Sequence, residues 1–475
     1  MKQKNKKLSF RGGAYSLDLT AMLVAVLILV NIMVRFLPAN MTRFDISASK
    51  LYSVTSNTKT VVSNLQEDVT IYWISQPDAE DEILRNLLDR YASLSDHIEI
   101  VKRNPDVYPA FAAAYTDEPV QNNSLVVEAG DRSRFIGYND IYLAQPDMAS
   151  YSYSASFDGE GAITSAIDYV VNAEQPILYL LEGHGELPLP EVFLDQVTNA
   201  NMEVEPLSLL TSDGIPQDAA CVMIHAPESD ISQEEQELLV EYTENGGRLL
   251  VMAGPTLEGT LQNLYGILNH YGVVTRDGVI VETDRSHYAF RTPYVLLPEI
   301  QEHPITLPLM EEHYYPIAPI SQGLSIETTS SAYEVTELLK TTPVAFNKAD
   351  GLQLSSYEME EGDTEGEFAL AVSVENDAQG QIVWFATSAF LDPLYNAYSS
   401  GANVDMTMNA LTDLIGESES MAIRSKSLNY NYLTISESTA TLLKVLLIGV
   451  FPLTYLGCGV VVVLKKRKEH RHEAA

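Results

Sequence analysis

Two apolar segments near the ends of the chain constrain its fold more than any other feature. They cover about residues 19–37 and 445–464, and each approaches the roughly 20 residues that a helix needs to cross a hydrocarbon core. Basic residues precede the first segment and follow the second: Lys2, Lys4, Lys6, Lys7, Arg11, Lys465, Lys466, Arg467, Lys468 and Arg471. Because positively charged flanks stay cytoplasmic, both termini are expected inside and the intervening chain outside.

Each segment has an alternative interpretation. The first could be a cleaved signal peptide, but residues 35–41 lack a small-x-small cleavage site and the apolar run is longer than usual. The second could be a buried core helix, although its near absence of charge and the following KKRK favour a membrane span. The sequence therefore predicts a two-pass protein of the cell membrane. Its parts are basic tails at 1–16 and 465–475 and membrane helices at 17–37 and 445–464.

The part of the chain between these segments is strongly acidic. The whole sequence carries 29 Lys and Arg against 65 Asp and Glu, a formal net charge of −36, and its basic residues are concentrated in the flanks. Such a domain repels the phosphate backbone, so no nucleic-acid partner is expected. The two cysteines, Cys221 and Cys458, lie in a strand-like run and in the second apolar segment. Without disulfides, the exposed part needs a hydrophobic core of its own.

Residues 44–173 are predicted to form a small α/β domain. A helix capped by Thr55 or Ser56 leads into a strand, a helix and a second strand, followed by a hairpin around Gly130-Asp131 and a closing helix. This order is that of a thioredoxin-like domain. No C-x-x-C motif is present, which excludes redox chemistry and leaves the domain as a scaffold.

Residues 174–416 are predicted to form a larger α/β domain with a mostly parallel sheet. The runs ILYLL, CVMIH and RLLVM are continuous apolar strands, typical of a sheet with helices on both faces. Predicted helices lie between them, including one over residues 257–271, and two further strands precede a last helix. The polar stretch 417–444 is interpreted as a tether to the second membrane span.

Several segments together resemble a known family. They are RFDISASKLYSVTSNTKTVVSNL after the first span, GEGAITSAIDYVVN, LYLLEGHGE, ENGGRLLVMAGP and HPIT. With the two spans, their order resembles the GldG-like auxiliary subunits of bacterial ABC transport systems. The resemblance implies an amidotransferase-like α/β domain of the type found in an intraflagellar transport protein. It also implies two partners, an ABC permease and a cytoplasmic ATP-binding subunit. Residues 386–390 (ATSAF) depart from the acidic Gly-Asp-Ser-like turn of relatives.

The best cluster of candidate site residues follows a predicted strand. It consists of Glu182, Gly183, His184, Gly185 and Glu186. Ligands bind at the carboxyl ends of strands in open α/β sheets, and glycines permit close backbone approach or a positive φ. Two interpretations remain open: a ligand or partner contact, or a strained turn across which His184 forms a hydrogen bond. No HExxH or paired-cysteine signature is present, so no metal site is predicted.

Catalysis has little support in the sequence. An amidotransferase would need a nucleophilic cysteine on a sharp turn after a strand, whereas Cys221 begins its strand and no G-x-S-x-G follows. No phosphate-binding G-x-x-x-x-G-K-[ST] loop is present either, so ATP hydrolysis is assigned to another chain. We therefore expect no cofactor and no enzymatic activity. The alternatives are a membrane-tethered hydrolase or amidotransferase-like enzyme that uses His184, and a purely structural assembly protein.

A second candidate surface lies in the irregular segment 286–315. Its candidate contact residues are His287, Tyr288, Arg291 and His303. Aromatic and arginine side chains are enriched in binding surfaces, while core packing of a long insertion is the alternative. The acidic run at 358–367 lacks the spacing of a calcium loop and is predicted to be a solvated hairpin tip. The leading prediction is an auxiliary ABC transport subunit that binds substrate or couples the permease to outer partners.

Overall fold

The computed structural model describes residues 53–416 except 118, 148–151, 173–174, 213, 258, 328–331 and 354, together with residues 22, 25–26, 28–29, 426–427, 441, 444–457 and 459–460. The chain divides into two compact units. One contains Val54–Tyr153 and Asp158–Ser425, and the other contains Met1–Ser53, Ser154–Phe157 and Lys426–Ala475. The predicted boundary between domains at 173/174 stays a prediction, because both sheets described below lie in the first of these units.

The first sheet follows the element order predicted from the sequence. Its elements are α1 (Ser56–Ser63), β1 (Val69–Ile74), α2 (Glu82–Leu94), β2 (Ile98–Arg103), β3 (Ser124–Ala129), β4 (Arg132–Ile136), α3 (Tyr138–Ile141), β5 (Tyr142–Asp147), β6 (Ser152–Phe157) and α4 (Gly159–Val171). The strand order is β2-β1-β3-β4, with β1 parallel to β2 and antiparallel to β3. Strands β5 and β6 lie outside this four-stranded sheet and were not predicted. Strand β5 (YLAQPD) lacks an apolar alternation, whereas β6 (SYSASF) alternates serine with Tyr153, Ala155 and Phe157, a signal that was overlooked.

A buried carboxylate fixes the point where the described chain enters this sheet domain. Glu160, only 2% exposed, accepts hydrogen bonds at Oε1 from the Thr55 backbone N at 2.6 Å and from the hydroxyls of Thr55 at 2.9 Å and Thr58 at 2.7 Å. Thr55 also caps α1, since its side chain accepts from the backbone N of Thr58. Helix α1 is therefore held against α4 by a satisfied polar cluster as well as by apolar packing.

The second sheet is larger and is built from elements between residues 177 and 414. They are β7 (Ile177–Leu181), α5 (Glu191–Asn199), β8 (Glu203–Leu207), β9 (Ala219–His225), α6 (Gln233–Glu244), β10 (Arg248–Met252), α7 (Gln262–His270), β11 (Val273–Arg276), β12 (Val279–Val281), β13 (Val295–Leu296), β14 (Glu299–Ile300), α8 (Leu307–Glu312), β15 (Ala318–Pro319), β16 (Gly323–Ile326), β17 (Tyr333–Lys340), β18 (Phe346–Lys348), β19 (Thr364–Glu365), β20 (Ala369–Asn376), β21 (Gln381–Phe385), α9 (Pro393–Tyr398) and α10 (Ala402–Leu414).

Helices cover both faces of this ten-stranded sheet. The strand order is β11-β16-β20-β21-β10-β9-β7-β8, and β17 and β14 extend it from β20. Alternate residues of β9 point to opposite faces: Met223 packs in the core with α5 and α10, and Val222 packs in the core with α6 and α7. Both cores are continuous with β10 and β21, which explains the uninterrupted apolar runs in the sequence.

The sheet is mixed rather than mostly parallel. Strands β8, β7, β9, β10 and β21 are parallel, as the alternating pattern predicts. The remaining strands pair antiparallel. The reason is the short connection between β20 and β21, which allows only an antiparallel hairpin. The helix predicted over 257–271 begins only at Gln262, and Gly259, within its predicted first turn, has a non-helical φ of +76°.

Parts of three predicted regions lie outside the described residues. Most of the first predicted span, the end of the second and most of the 417–444 tether belong to this group. Where the structure does describe the chain, no helix is both long and apolar enough to cross a membrane. Residues 426 and 427 pair with Phe157 and Ser156 as strand β22 (Lys426–Ser427).

Candidate functional site

Residues 182–186, here called the GHGE turn, leave the sheet at the carboxyl end of β7. Gly183 and Gly185 adopt φ values of +123° and +77°, a region that side chains other than glycine rarely occupy. A Cβ on Gly185 would also come within 3.2 Å of the Glu228 side chain. The turn therefore requires glycine at both positions. Gly183 is needed for its positive φ, and Gly185 is needed both for its positive φ and because a side chain there would contact Glu228.

The Glu186 side chain forms hydrogen bonds with other residues of the GHGE turn. Its Oε2 accepts from the backbone N of Gly183 at 3.1 Å and of His184 at 2.8 Å, and its Oε1 lies 3.0 Å from His184 Nδ1. Burial opposes ionisation of this carboxylate, but the hydrogen bonds from His184 and from backbone N–H groups lower its pKa overall. Glu186 is thus an ionised acceptor that holds three donors.

His184 is buried, with 5% of its side chain exposed, and both ring nitrogens contact carboxylates. Its Nε2 lies 3.1 Å from Oε2 of Glu235, in the first turn of α6, and that carboxylate also accepts from the backbone N of Ser232. The hydrogen bond to Glu186 raises the pKa of His184, with burial opposing and Glu235 adding to the increase. An imidazolium donates from both nitrogens, which suits two carboxylate partners.

The His184 carbonyl is also engaged. It accepts from the backbone N of Glu228 at 3.0 Å and of Ser229 at 2.9 Å, and from the Ser229 hydroxyl at 3.0 Å. The GHGE turn is therefore connected to the loop after β9 through its backbone and to α6 through its side chain. This network connects the turn after β7, the loop after β9 and the first turn of α6.

The chemistry available at this edge is limited. A doubly hydrogen-bonded imidazolium has no free lone pair for a proton or a metal ion. In the described part of the chain, no group of three His, Cys, Asp or Glu residues could hold a metal ion. Burial raises the pKa of the Cys221 thiol to about 12, so it does not form a thiolate nucleophile at neutral pH. His225, in the same strand, contacts the Leu187 carbonyl at 2.8 Å through Nδ1.

The outer side of the GHGE turn is exposed to solvent. Glu182, Gly183 and Gly185 are exposed, and two large apolar side chains flank them. Leu187 is 49% exposed and Leu210, whose side chain lies against Gly183, is 64% exposed. A rigid turn with exposed leucines and a carboxylate can contact a partner through its rim, while the buried imidazole supports it from behind.

Sequence reasoning missed Glu235, which is the second partner of His184. The two residues are 51 positions apart, and local periodicity cannot pair them. A signal was nevertheless present, because Ser232 and Glu235 form a capping box at the start of α6. That motif places Glu235 in the first turn of a helix. Because α6 begins just after the carboxyl end of β9, Glu235 lies next to His184.

The second predicted surface contains a strained hairpin. His287 and Tyr288 lie on its first strand: the His287 carbonyl accepts from the Leu297 backbone N, and Tyr288 bridges to Leu296. At the tip, Phe290 and Arg291 adopt φ values of +56° and +58°. Such a two-residue turn usually contains Asn-Gly. Left-handed geometry at other residues costs about 1–2 kcal/mol each.

The structure joins this hairpin to two segments that sequence reasoning did not connect with it. Phe290 packs on Tyr398 of α9 with ring centroids 4.5 Å apart, and Tyr294 packs on Tyr357 at 5.7 Å. Tyr395 lies in α9 three residues before Tyr398, and it contributes to the raised pKa of Tyr294, after burial and Tyr357. We call these five residues the aromatic ridge.

A buried lysine holds the acidic segment that supplies Tyr357. Lys348 Nζ contacts the Glu358 carbonyl at 3.0 Å, Glu360 Oε2 at 2.7 Å and Asp363 Oδ2 at 3.1 Å. The lysine side chain is fully buried, as is most of Asp363, whereas Glu360 is half exposed. The predicted hairpin tip is therefore fastened at its base by an ion cluster.

His303 has a separate, local role. Its backbone N donates to Thr306 Oγ1, its Nδ1 accepts from the Ile305 backbone N at 3.2 Å, and its carbonyl accepts from Leu307 at the start of α8. Burial lowers its pKa, against an opposing effect of Asp413. Two residues later, the Ile305 carbonyl accepts from Asn409 of α10, and Asp413, one turn further along that helix, accepts from Gln381, the first residue of β21. His303 therefore lies toward the amino ends of the parallel strands. It is therefore not brought together with His184.

Comparison with family models gives matches over two parts of the chain. Residues 175–382 match the family described as "ABC-type uncharacterized transport system", which comprises auxiliary components of these systems. This match supports the predicted resemblance to auxiliary subunits of ABC transport systems over these residues. Residues 48–142 match a domain of unknown function, DUF7088. Among curated proteins, none matches the chain.

Solved structures with partial similarity include the following three. The mmIFT52 N-terminal domain shares 15% identity over 50% of this chain and 97% of its own, with a TM-score of 0.37. PurLQS from Thermotoga maritima shares 12% identity over 50% and 99%, with a TM-score of 0.28. A glutamine amido transferase from Methylobacillus flagellatus shares 12% identity over 55% and 100%, with a TM-score of 0.27.

Proposed function

We propose that this protein is a non-catalytic auxiliary subunit of a bacterial ABC transport complex. Its acidic domain lies outside the cytoplasm, where it binds substrate or couples the permease to outer partners. The family match over residues 175–382 supports the transport role. Two membrane spans with basic flanks and cytoplasmic termini complete the proposal, on the basis of the apolar segments in the sequence.

The observation that carries the non-catalytic part is the state of His184. A general base needs a free ring nitrogen within reach of substrate, whereas both nitrogens of this buried imidazole face carboxylates. The proposal treats the two α/β regions, one thioredoxin-like and the other amidotransferase-like, as scaffolds. Their function is to present exposed surfaces rather than to form a reaction centre.

We propose that the rim of the GHGE turn contacts the permease or a transported ligand. Glu182 is exposed beside Leu187 and Leu210, so the rim offers both apolar area and negative charge. A complementary partner segment carries apolar and basic side chains. The turn is suited to this role because its backbone is fixed by Glu186 and by the loop after β9.

Co-purification from membranes tests the proposal directly. Full-length protein with Leu210→Ser and Glu182→Lys should recover much less permease and ATP-binding subunit than the wild type, with an unchanged melting temperature. Leu257→Ser, which removes a leucine that is 85% exposed elsewhere, is the matched control and should leave recovery unchanged. Recovery of neither subunit with the wild-type protein would reject the transport role.

Topology and activity are tested separately. Reporters fused to either terminus should be active inside the cell, and a cysteine in place of Ser400 should react with an impermeant thiol reagent on intact cells. Labelling that requires lysis would reject the two-span topology. Steady turnover of an ester, an amide or glutamine by the purified protein, lost in His184→Ala, would favour a membrane-tethered hydrolase or amidotransferase-like enzyme instead.

A further inference from the structure

One asparagine joins the first α/β region, from α1 to α4, to the second, from β7 to α10. Asn201 follows α5 and is only 6% exposed. Its amide nitrogen donates to the Ser165 carbonyl at 2.9 Å and to Asp168 Oδ2 at 2.8 Å, both on α4. Its amide oxygen accepts from the guanidinium of Arg134 on β4 and from the Ser165 hydroxyl at 3.4 Å. One side chain of the second region thus contacts two elements of the first.

The arginine that meets Asn201 is itself held in place. The Arg134 guanidinium lies 5.2 Å from the ring centroid of Tyr169 on α4, and that of Arg132 lies 4.5 Å from the same ring. Arg132 also donates to the carbonyl of Asn172, at the end of α4. Burial lowers the pKa of Arg134, so its guanidinium is partly removed from water where it contacts Asn201. The contact is therefore a charge-assisted hydrogen bond between two fixed side chains.

The backbone at residue 201 does not by itself require asparagine. Its φ is +58°, the left-handed conformation that glycine adopts most readily after a helix. Its backbone N donates to the Thr198 carbonyl at the end of α5, a bond that glycine can form as well. All four side-chain hydrogen bonds given above go to residues of the first region instead. The asparagine side chain therefore serves the contact between the regions rather than the end of α5.

The position of Asn201 in the chain suits it to restrain motion between the regions. The two large apolar cores of the second sheet consist of described residues between 178 and 415, so neither core extends into the first region. Regions joined mainly by polar contacts are expected to move relative to each other. Two residues after Asn201, the backbone N of Glu203 donates to the carbonyl of Pro176, where the second region begins. Asn201 thus lies beside the point at which the chain passes from one region to the other.

We propose that Asn201 is a latch that keeps the two α/β regions in one fixed orientation. Its hydrogen bonds to Arg134, Ser165 and Asp168 must all break before the first region can move relative to α5. Helix α5 begins five residues after the GHGE turn and buries Phe193 and Val197 in the core of the second sheet. A partner at the rim of that turn therefore meets both regions as one body.

Spin labels test the latch in the full-length protein in detergent. Cys458→Ser removes one native cysteine and Cys221 is buried, so the labels go on cysteines that replace the exposed Ser93 of α2 and Glu237 of α6. With Asn201 intact, double electron–electron resonance should give one narrow distance distribution. Asn201→Gly should widen it about twofold or more, because it removes the latch while glycine keeps the left-handed backbone.

Two further variants separate the latch from local effects. Gln379→Gly is the matched control, since Gln379 also has a positive φ, +65°, but is exposed between β20 and β21, and the distribution should stay narrow. Arg134→Met should widen it, and adding Asn201→Gly should change it little more, because both remove one contact. A wide distribution with Asn201 intact, a narrow one in Asn201→Gly, or equal widening in Gln379→Gly would overturn the proposal. The transport role is not at stake, because no partner enters the measurement.

Discussion

The GHGE turn and the aromatic ridge make opposite use of polar and apolar groups. At the turn, one imidazole and two carboxylates are buried, and the imidazole lies between the other two. At the ridge, aromatic side chains are half exposed and the flanking charges of Arg291, Glu358 and Glu361 have no ion-pair partner among the described residues. The ionisable residues of the turn are therefore mostly internal contacts of the fold, whereas those beside the ridge are exposed.

The largest expected effect is a loss of stability when the buried His184 of the GHGE turn is replaced. His184→Leu would leave the carboxylates of Glu186 and Glu235 facing an apolar side chain without their shared cation. Removing one member of a buried charge network typically costs about 3–5 kcal/mol in the free energy of unfolding. Denaturant unfolding of the full-length protein measures this loss. The expected loss in the free energy of unfolding exceeds the roughly 1 kcal/mol that a single hydrogen bond across a turn contributes.

Glu182→Ala is the control for that measurement. Its side chain is exposed on the same turn, and surface substitutions usually change stability by less than about 0.5 kcal/mol. If His184→Leu costs no more than this control, the turn is not held by the buried network. The claim that buried charged groups stabilise the GHGE turn would then be wrong.

Lys348→Met tests whether the exposed ridge depends on a buried ion cluster. Without the ammonium group, Glu360 and Asp363 lose their common partner and the segment that supplies Tyr357 detaches more often. Limited proteolysis between residues 357 and 367 should then be about tenfold faster or more, because cleavage follows local opening. Lys340→Met is the control, since Lys340 pairs with Glu367 nearer the surface. Equal cleavage rates in the two variants would contradict the role of Lys348.

The pH dependence of stability sharpens the assignment of charge at the turn. The pKa of His184 is raised above 6.5, so its contribution is complete below pH 6.5 and is lost as pH rises through the folded-state pKa. The pKa of Glu186 is lowered below 4.5, so its contribution is complete above pH 4.5 and is lost as pH falls through the folded-state pKa.

The stability difference between the wild type and His184→Leu should therefore be greatest between about pH 4.5 and 6.5. Melting temperatures of both proteins over a pH series measure it. A difference that grows as pH rises above 6.5 would mean that the imidazole is neutral in the folded protein. The same series on Glu182→Ala corrects for the titration of the remaining acidic residues.

The smallest expected effect is a change in stability when the exposed turn at Phe290 and Arg291 is replaced. Phe290→Asn with Arg291→Gly should raise the free energy of unfolding by about 1 kcal/mol, because glycine and asparagine tolerate the left-handed turn. Arg291→Glu loses the same cation but keeps the strain, so it separates the backbone effect from the side-chain effect. A lower free energy of unfolding for the Phe290→Asn, Arg291→Gly double variant than for the wild type would show that Phe290 packs in the core.

Local sequence patterns determined much of this protein. The apolar runs gave β7, β9 and β10, the cap at Thr55 gave α1, and the glycines of LYLLEGHGE indicated a turn after β7. These features depend on residues close together in the chain, where propensity, capping and periodicity act directly. The same patterns carried the resemblance that the family model confirms over residues 175–382.

Only the tertiary structure decided which distant residues meet. Glu235 reaches His184 across 51 positions, and α9 brings Tyr398 onto Phe290 more than a hundred residues away. The same applies to the antiparallel strands, whose pairing partners follow from chain connections rather than from their own composition. Such contacts depend on how packed elements are placed in space, and the periodicity of one segment carries no information about its eventual neighbour.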